Sequence, residues 1–373
     1  MIKKVFIIWW WNKTDINDDE YKLLESDFLE WNIKNQSYGL MITKAFIDEF
    51  WKDNVINCLV KGKWEYRNIF WYKGYRWKFF VLLKELWKNR KESIFMFHGM
   101  YPRILIYSLI PTKHKCRRRH AIIWPYNKCE NKVKWIMLWL IQKVFQNFMD
   151  TIFYVNDNEK KELINYKYKW NIFFLPIPIN TEFWYLKKEN VNQKKNIIIS
   201  STWSICNRKN QKIIVEAIKL VNKSERNIHV NIIWPGMEKE YTTQIKTLSK
   251  WFNINFNGNK SARELREIYK NTDIYIQASF SEWLCQTYIE ACLSWCPLIL
   301  SNIPTFTETA KDYALFFDPL NVKDLSEKII YMIDHLDEYK EKSRKLAEIF
   351  KRFWYESFNK QFKNFICLID KDV

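Results

Sequence analysis

Short apolar runs and amphipathic stretches alternate along this chain almost from its first residue. Val5–Ile8, Val55–Val60, Ile94–Phe97, Ala121–Ile123, Ile152–Val155 and Ile172–Leu175 are rich in β-branched and aromatic residues, and they read as strands. Between them, the stretches around 39–51, 76–90, 132–149 and 157–166 carry apolar residues at helical spacing. The second half repeats the alternation. Strands are predicted at Ile197–Ser201, His229–Ile233, Ile254–Phe256, Ile274–Gln277 and Leu298–Leu300. Helices are predicted at Gln211–Val221, Glu240–Lys250, Ala262–Tyr269 and Thr287–Leu293, with a long amphipathic tail over Glu341–Ile366. Strand–helix alternation of this kind predicts βαβ units on parallel sheets.

The prolines of Pro176-Ile-Pro178 break the first series, and the polar stretch 186–196 reads as a linker. The expected organisation is a first Rossmann-like domain over 1–185, that linker, a second over 197–340, and a helical region over 341–373 that returns to the first domain. Doubly wound sheets place their ligand crevices at the carboxyl ends of the strands. The chain has 373 residues, 48% of them hydrophobic, which is ample for two cores. No apolar run reaches the roughly 18–20 residues that span a bilayer. The start, Met1-Ile-Lys-Lys-Val-Phe-Ile-Ile, reads as a strand and not as a signal peptide. The eight cysteines are scattered without a zinc spacing, and they read as free thiols in a reducing cytosol.

Charge changes the picture in the first half. The net charge is +18, and residues 1–180 hold 31 Lys+Arg against 18 Asp+Glu. The densest run is Lys113-His114-Lys115-Cys116-Arg117-Arg118-Arg119-His120. It reads as basic surface suited to an anionic partner, such as an anionic membrane face, or as plain solvated charge. No nucleic-acid-binding motif accompanies it, so no nucleic-acid partner is expected.

Composition holds one anomaly: 20 Trp against 6 Gly, where an ordinary chain of this length has about 26 Gly. Several Trp stand where backbone geometry asks for glycine. Trp9, Trp10 and Trp11 follow the first strand, Trp203 follows the first strand of the second half, Trp234 precedes Pro235-Gly236, and Trp251 follows a helix end. A turn that wraps a phosphate needs positive φ and no Cβ. These positions, with Trp283 and Trp295, read as glycines written as Trp through UGA codons, while Trp135, Trp139 and Trp354 read as true Trp.

The strongest chemical signal is Ser279-Phe-Ser-Glu282-Trp283, then Glu290-Ala291, then Trp295-Cys-Pro297-Leu-Ile299. Two glutamates eight apart frame a turn and a helix start, followed by proline and a strand. This resembles the E-x7-E signature of family-4 retaining glycosyltransferases. Every fixed position agrees except Trp283 and Trp295, where the family has Gly. Ile197–Trp203 with Arg208-Lys209-Asn210, Ile232-Ile233-Trp234-Pro235-Gly236, Ile254–Gly258 and Pro178-Ile-Asn180-Thr-Glu182-Phe183 resemble further segments of the same family.

The resemblance implies a GT-B fold, two Rossmann-like domains facing a cleft, and sugar transfer from a nucleotide-sugar donor to a glycan or lipid-linked acceptor. No metal or cofactor is implied. Lys209 and Arg208 would neutralise the donor diphosphate, with Arg208 standing in for an arginine that the family often has at Ser204. Glu290 would hold the ribose hydroxyls, and Glu282 would lie near the transferred sugar. Trp203, Trp234, Gly258, Asn259, Trp283, Leu284 and Cys285 would line the donor site, and Trp9, Trp10 and Trp11 the first-domain loop. His120, or its rival His98, would be the first-domain histidine. The expected place of action is cytoplasmic, at or near the inner membrane face. If the Trp residues are genuine, the same fold would instead be a binding protein with a blocked donor site.

Overall fold

The computed structural model describes residues 4–9, 46, 49–50, 54–59, 66–69, 72–76, 79–98, 106–118, 148–165, 171–176, 179, 181–186, 196–221, 227–233, 238–258, 260–282, 284–350 and 355–371. The chain divides into two compact α/β units, one holding the described residues up to 176 together with 355–371, the other those over 179–350.

The first unit is built on an eight-stranded sheet. Its strands are β1 (Lys4–Trp9), β2 (Val55–Leu59), β3 (Tyr66–Ile69), β4 (Tyr72–Arg76), β5 (Ser93–His98), β6 (His114–Arg118), β7 (Thr151–Tyr154) and β8 (Asn171–Phe174). Their order is β3-β4-β2-β1-β5-β6-β7-β8. All neighbours are parallel except the β3–β4 pair. The helices α1 (Phe79–Asn89) and α2 (Asp157–Asn165) belong to this unit. Leu82 and Leu86, one helical turn apart on α1, are fully buried with Phe6, Phe95 and Phe97 of the central strands.

β6 corrects the reading of the basic run. Five of its residues form an interior strand between β5 and β7, and His114 and Lys115 are each only 9% exposed. The sheet satisfies them locally. Lys115 Nζ donates to the Ser108 carbonyl at 3.0 Å, and its backbone N–H donates to Asp150 Oδ2 at 2.6 Å. His114 Nε2 lies 3.1 Å from Thr151 Oγ1. Burial pulls the Lys115 pKa down, and Asp150 pulls it partly back. Charge density hid the strand because Lys and Arg stems can pack along a sheet. The strand expected at 121–123 lies outside the described residues. β3 and β4 were missed because they are polar and aromatic with no apolar run.

The second unit is a six-stranded, wholly parallel sheet: β9 (Ile197–Thr202), β10 (Ile228–Ile233), β11 (Ile254–Phe256), β12 (Ile274–Gln277), β13 (Leu298–Ser301) and β14 (Leu315–Phe317). The order β11-β10-β9-β12-β13-β14 is the doubly wound order 3-2-1-4-5-6 counted within the unit. In chain order its helices are α3 (Thr181–Trp184), α4 (Gln211–Val221), α5 (Lys239–Ser249), α6 (Ala262–Asn271), α7 (Gln286–Leu293), α8 (Pro304–Ala310), α9 (Val322–Asp334) and α10 (Leu336–Phe350). β12 and β13 are buried along their whole length, as parallel strands covered on both faces must be. α6 opens on a complete capping box, with Ser261 and Glu264 each accepting from the other's backbone N–H.

Residues 179–186 are built into this second unit. Trp184 is buried, Ser294 Oγ donates to its carbonyl at 3.0 Å, and Leu186 N–H donates to Leu293 O at 3.2 Å. The helical tail divides: α10 belongs to the second unit, while α11 (Tyr355–Lys371) belongs to the first.

Candidate functional site

β9 and β12 are the neighbouring strands at which the strand order of the second unit reverses. In doubly wound sheets this switch point opens the ligand crevice beyond the carboxyl ends. The segments leaving these two strands carry the chemistry. After β9 come Trp203 and a short turn, Asn207–Lys209, closed by Asn210 in a left-handed conformation at φ 54°. After β12 come Ser279 and Glu282.

Lys209 and Glu282 meet as a buried ion pair, with side chains 1% and 2% exposed, and the Lys209 ammonium bonds Glu282 Oε1 directly. Arg208 NH1 lies 3.2 Å from Glu282 Oε2 and donates to the Ser281 carbonyl at 2.8 Å. Ser279 Oγ donates to Glu282 Oε1 at 2.6 Å, and Thr305 Oγ1 donates to the Glu282 carbonyl at 2.6 Å. A buried pair survives only when such bonds satisfy its remaining atoms. Burial works to raise the Glu282 pKa, but the two cations outweigh it and hold the carboxyl below its ordinary value. Two cations thus face one carboxylate, while a second carboxylate, Glu238, accepts from the Asn207 N–H at 2.9 Å on the same turn.

Glu290 sits on α7 under the opposite influence. It is half-buried, and desolvation pushes its carboxyl up to about 8 against the pull of the Tyr269 hydroxyl, 3.5 Å from Oε2. The Tyr269 and Tyr275 hydroxyls each lie 2.9 Å from Thr202 Oγ1. Tyr275 OH donates to Gln277 Oε1 at 2.9 Å, and Gln277 Nε2 donates to Ser279 Oγ at 2.9 Å. The two glutamates are thus joined by one chain of hydrogen bonds. Sequence reasoning missed its members. The available signal was the period-two spacing of Tyr275, Gln277 and Ser279, with Ile274, Ile276 and Ala278 on the other face.

The tryptophans separate by backbone. Trp203 holds φ 142° and Trp295 holds φ 58°. Trp295 is the C′ residue of α7 in a complete Schellman motif: its N–H donates to Cys292 O at 2.8 Å, and the Cys296 N–H donates to Ala291 O at 3.0 Å. Its indole Nε1 is buried with no hydrogen-bond partner among the described residues. Trp251 is a correction. It is not among the positive-φ residues and is 89% exposed, so nothing in its backbone asks for glycine. Trp9 ends β1, and His98 ends β5. Trp10, Trp11, His120, Trp234, Asn259 and Trp283 lie outside the described residues. Gly258 has φ 63° with nothing near where a Cβ would point. Leu284 and Cys285 are buried, and Cys285, at φ 61°, is the N-cap of α7. They can offer a ligand backbone but not side chains. Trp203 lies against the site: Lys209 Nζ is 4.4 Å from its ring centroid.

Among the described residues, no group of three or more His, Cys, Asp and Glu side chains could hold a metal ion, and no helix is long and apolar enough to cross a membrane.

Residues 183–351 match the family described as glycosyl transferases group 1. Comparison with curated proteins finds no match. Among solved structures, sucrose-phosphate synthase from Thermosynechococcus elongatus is similar over 100% of both chains at 12% identity, with a TM-score of 0.75. A glycosyltransferase from Rickettsia africae ESF-5 is similar over 100% of both chains at 15% identity and a TM-score of 0.69. Anabaena HepE in complex with UDP and glucose is similar over 98% of this chain and 99% of its own, at 10% identity and a TM-score of 0.71. At such identities the likeness establishes the two-domain Rossmann-like fold.

Proposed function

We propose that this glycosyltransferase, matching the group 1 family over residues 183–351, is of the retaining family-4 type and moves a sugar from a nucleotide-sugar donor to a glycan or lipid-linked acceptor without a metal ion. The observation that carries the reading is the Lys209–Glu282–Arg208 cluster beyond the carboxyl ends of β9 and β12. A donor diphosphate brings negative charge that grows as the sugar leaves, and preorganised cations stabilise that leaving group. Lys209 and Arg208 take this role. Glu282 holds both in place and faces the transferred sugar, and Glu290 accepts from the ribose hydroxyls. The UDP and glucose bound by HepE support a donor of this class.

Two backbone observations support the reading of some Trp as glycine. Trp203 and Trp295 occupy left-handed backbone, where a Cβ is strained, and both follow elements of the donor site. A second reading has its own support. The Trp203 ring lies over Lys209 and would cover the cation that a diphosphate needs, which suits a binding protein without transfer activity. The codons separate the two readings: UGA at Trp203, Trp283 and Trp295 supports the enzyme, and UGG the blocked site. The surplus charge of the first 180 residues suits an anionic acceptor or a peripheral place at the inner membrane face, although β6 takes part of that charge into the sheet.

The activity test uses the chain with glycine at Trp203, Trp234, Trp283 and Trp295 and a panel of nucleotide sugars. Transfer or slow donor hydrolysis is expected, and Glu290→Ala should weaken nucleotide binding by about tenfold or more, the loss of charge-assisted hydrogen bonds. Absence of nucleotide binding and of turnover with every donor would overturn the proposal.

A further inference from the structure

The chain of contacts between the two glutamates has a direction, because each hydroxyl carries one proton. Glu282, paired with Lys209 and Arg208, is an acceptor, so Ser279 must donate its only proton to it across 2.6 Å. Ser279 then accepts from the Gln277 amide, which turns Gln277 Oε1 toward Tyr275. Tyr275 must give its proton to that oxygen. Its own oxygen therefore accepts from Thr202, 2.9 Å away, with Thr287 Oγ1 also at 2.9 Å. With its proton committed to Tyr275, Thr202 can only accept from Tyr269. Tyr269 then has no proton left for Glu290, and their contact is a hydrogen bond only if Glu290 supplies one.

We propose that the hydrogen-bond chain Tyr269–Thr202–Tyr275–Gln277–Ser279 holds the two glutamates in opposite protonation states in the ligand-free protein, Glu282 ionised and Glu290 protonated, and that Tyr275 and Thr202 are positioning residues acting on Glu290 through Tyr269. Desolvation of Glu290 acts in the same direction and holds its carboxyl at about 8 even with the Tyr269 hydroxyl donating to it, so committing that proton elsewhere raises it further. The groups acting on it come from the elements around it. Tyr269 stands on α6 and Tyr275 on β12, with Cys296 and Cys285 beside these two tyrosines.

The consequence for binding rests on the reading of Glu290 as the ribose contact. A ribose hydroxyl that donates to Glu290 requires the carboxylate. The Glu290 proton then leaves to solvent, and Tyr269 and Thr202 reorient to donate toward Glu290. Nucleotide binding thereby releases a proton below the Glu290 pKa and strengthens as pH rises toward it.

Two measurements on the full chain test this, and the first needs no nucleotide. Infrared difference spectra titrated from about pH 5 to about pH 10 should show a protonated-carboxyl band that Glu290→Gln removes and that disappears with a midpoint of about 8 or above. Tyr275→Phe frees the Thr202 proton for Tyr269, and Thr202→Val frees the Tyr269 proton for Glu290. In each, the Glu290 proton affinity should fall about tenfold or more, one pKa unit. Tyr288→Phe, which removes a buried hydroxyl bonded to Thr309 outside the chain, should leave the midpoint in place. A wild-type midpoint in the ordinary carboxylate range, or equal midpoints in wild type and in whichever of the two chain variants folds, overturns the proposal. The second measurement is calorimetry of UDP binding in buffers of different ionisation heat. Close to one proton should be released per UDP at neutral pH in the wild type and far less in Thr202→Val, and equal release overturns the coupling. If UDP does not bind at all, the donor reading fails and the infrared titration alone decides the proton assignment.

Discussion

At Trp295 the backbone and the side chain ask for different residues. The φ of 58° and the two bonds of the Schellman motif ask for glycine at C′, and a side chain held in that region costs about 1–2 kcal/mol. The indole adds a buried N–H without a hydrogen-bond partner among the described residues, which carries its own desolvation cost of about 1–3 kcal/mol. Against these stands an edge-to-face contact with Tyr185 at 5.8 Å between centroids. Trp295→Gly should therefore raise stability by about 1–2 kcal/mol in spite of the lost ring, a value set by the strain and the orphaned N–H together. Trp251→Gly is the matched control. With no positive φ to relieve, it should be neutral or cost up to about 1 kcal/mol. Urea denaturation of both variants checks the difference, and equal effects would remove the backbone argument for Trp295. The sequence reads both tryptophans as glycine positions, Trp295 from the motif and Trp251 from the helix end before it. Both follow helices, but only the structure shows that one helix ends in a left-handed turn and the other does not.

At the scale of elements, β6 shows how composition misleads. Seven of the eight residues 113–120 are Lys, Arg or His, a pattern that ordinarily means solvent. Residues 114–118 form a strand because β5 and β7 need a partner between them; the Ser108 carbonyl accepts from the Lys115 ammonium, Asp150 accepts from the Lys115 backbone N–H, and Thr151 lies against the His114 ring. Lys115→Glu should cost about 3 kcal/mol or more, since it buries a carboxylate against a carbonyl and Asp150. Lys239→Glu, exposed at the start of α5, should change stability by less than about 0.5 kcal/mol. Chemical denaturation of the two charge reversals tests this, and equal costs would return the run to the surface. The elements of the second unit were more legible. The strands predicted at Ile254–Phe256 and Ile274–Gln277 are observed with those bounds: β12 is buried on both faces as an interior parallel strand, while β11 is a half-exposed edge strand whose Ile254 and Phe256 share one face.

At the scale of the whole chain, the last helix belongs with the first sheet. Phe358, Phe362, Phe365, Ile366 and Ile369 of α11 are buried in the first unit. Phe362 meets Phe46 at 4.7 Å and Phe365 meets Phe153 at 4.8 Å between centroids. Each such side chain contributes about 1.5–3 kcal/mol, so together they rival the about 5–15 kcal/mol that holds a domain folded. Removing residues 355–373 should unfold the first unit and leave the second protected. Limited proteolysis read by mass spectrometry would show cleavage throughout the first sheet and survival of residues 196–350. A first unit that keeps its protection would show that α11 is not needed for its core.

Local pattern along the chain was enough for two α/β units, for strands of the second sheet, and for Lys209, Arg208, Glu282 and Glu290 as candidate site residues. Those features lie in local periodicity and in side-chain chemistry, which are written along the chain. Only packing shows that residues 114–118 of the basic run form an interior strand, that Trp295 and not Trp251 sits in left-handed backbone, and that Tyr269, Thr202, Tyr275, Gln277 and Ser279 join the two glutamates. The members of that chain lie as far as 77 residues apart between Thr202 and Ser279. Their single protons can be counted from donor to acceptor only once β9, β12 and α6 have been packed side by side.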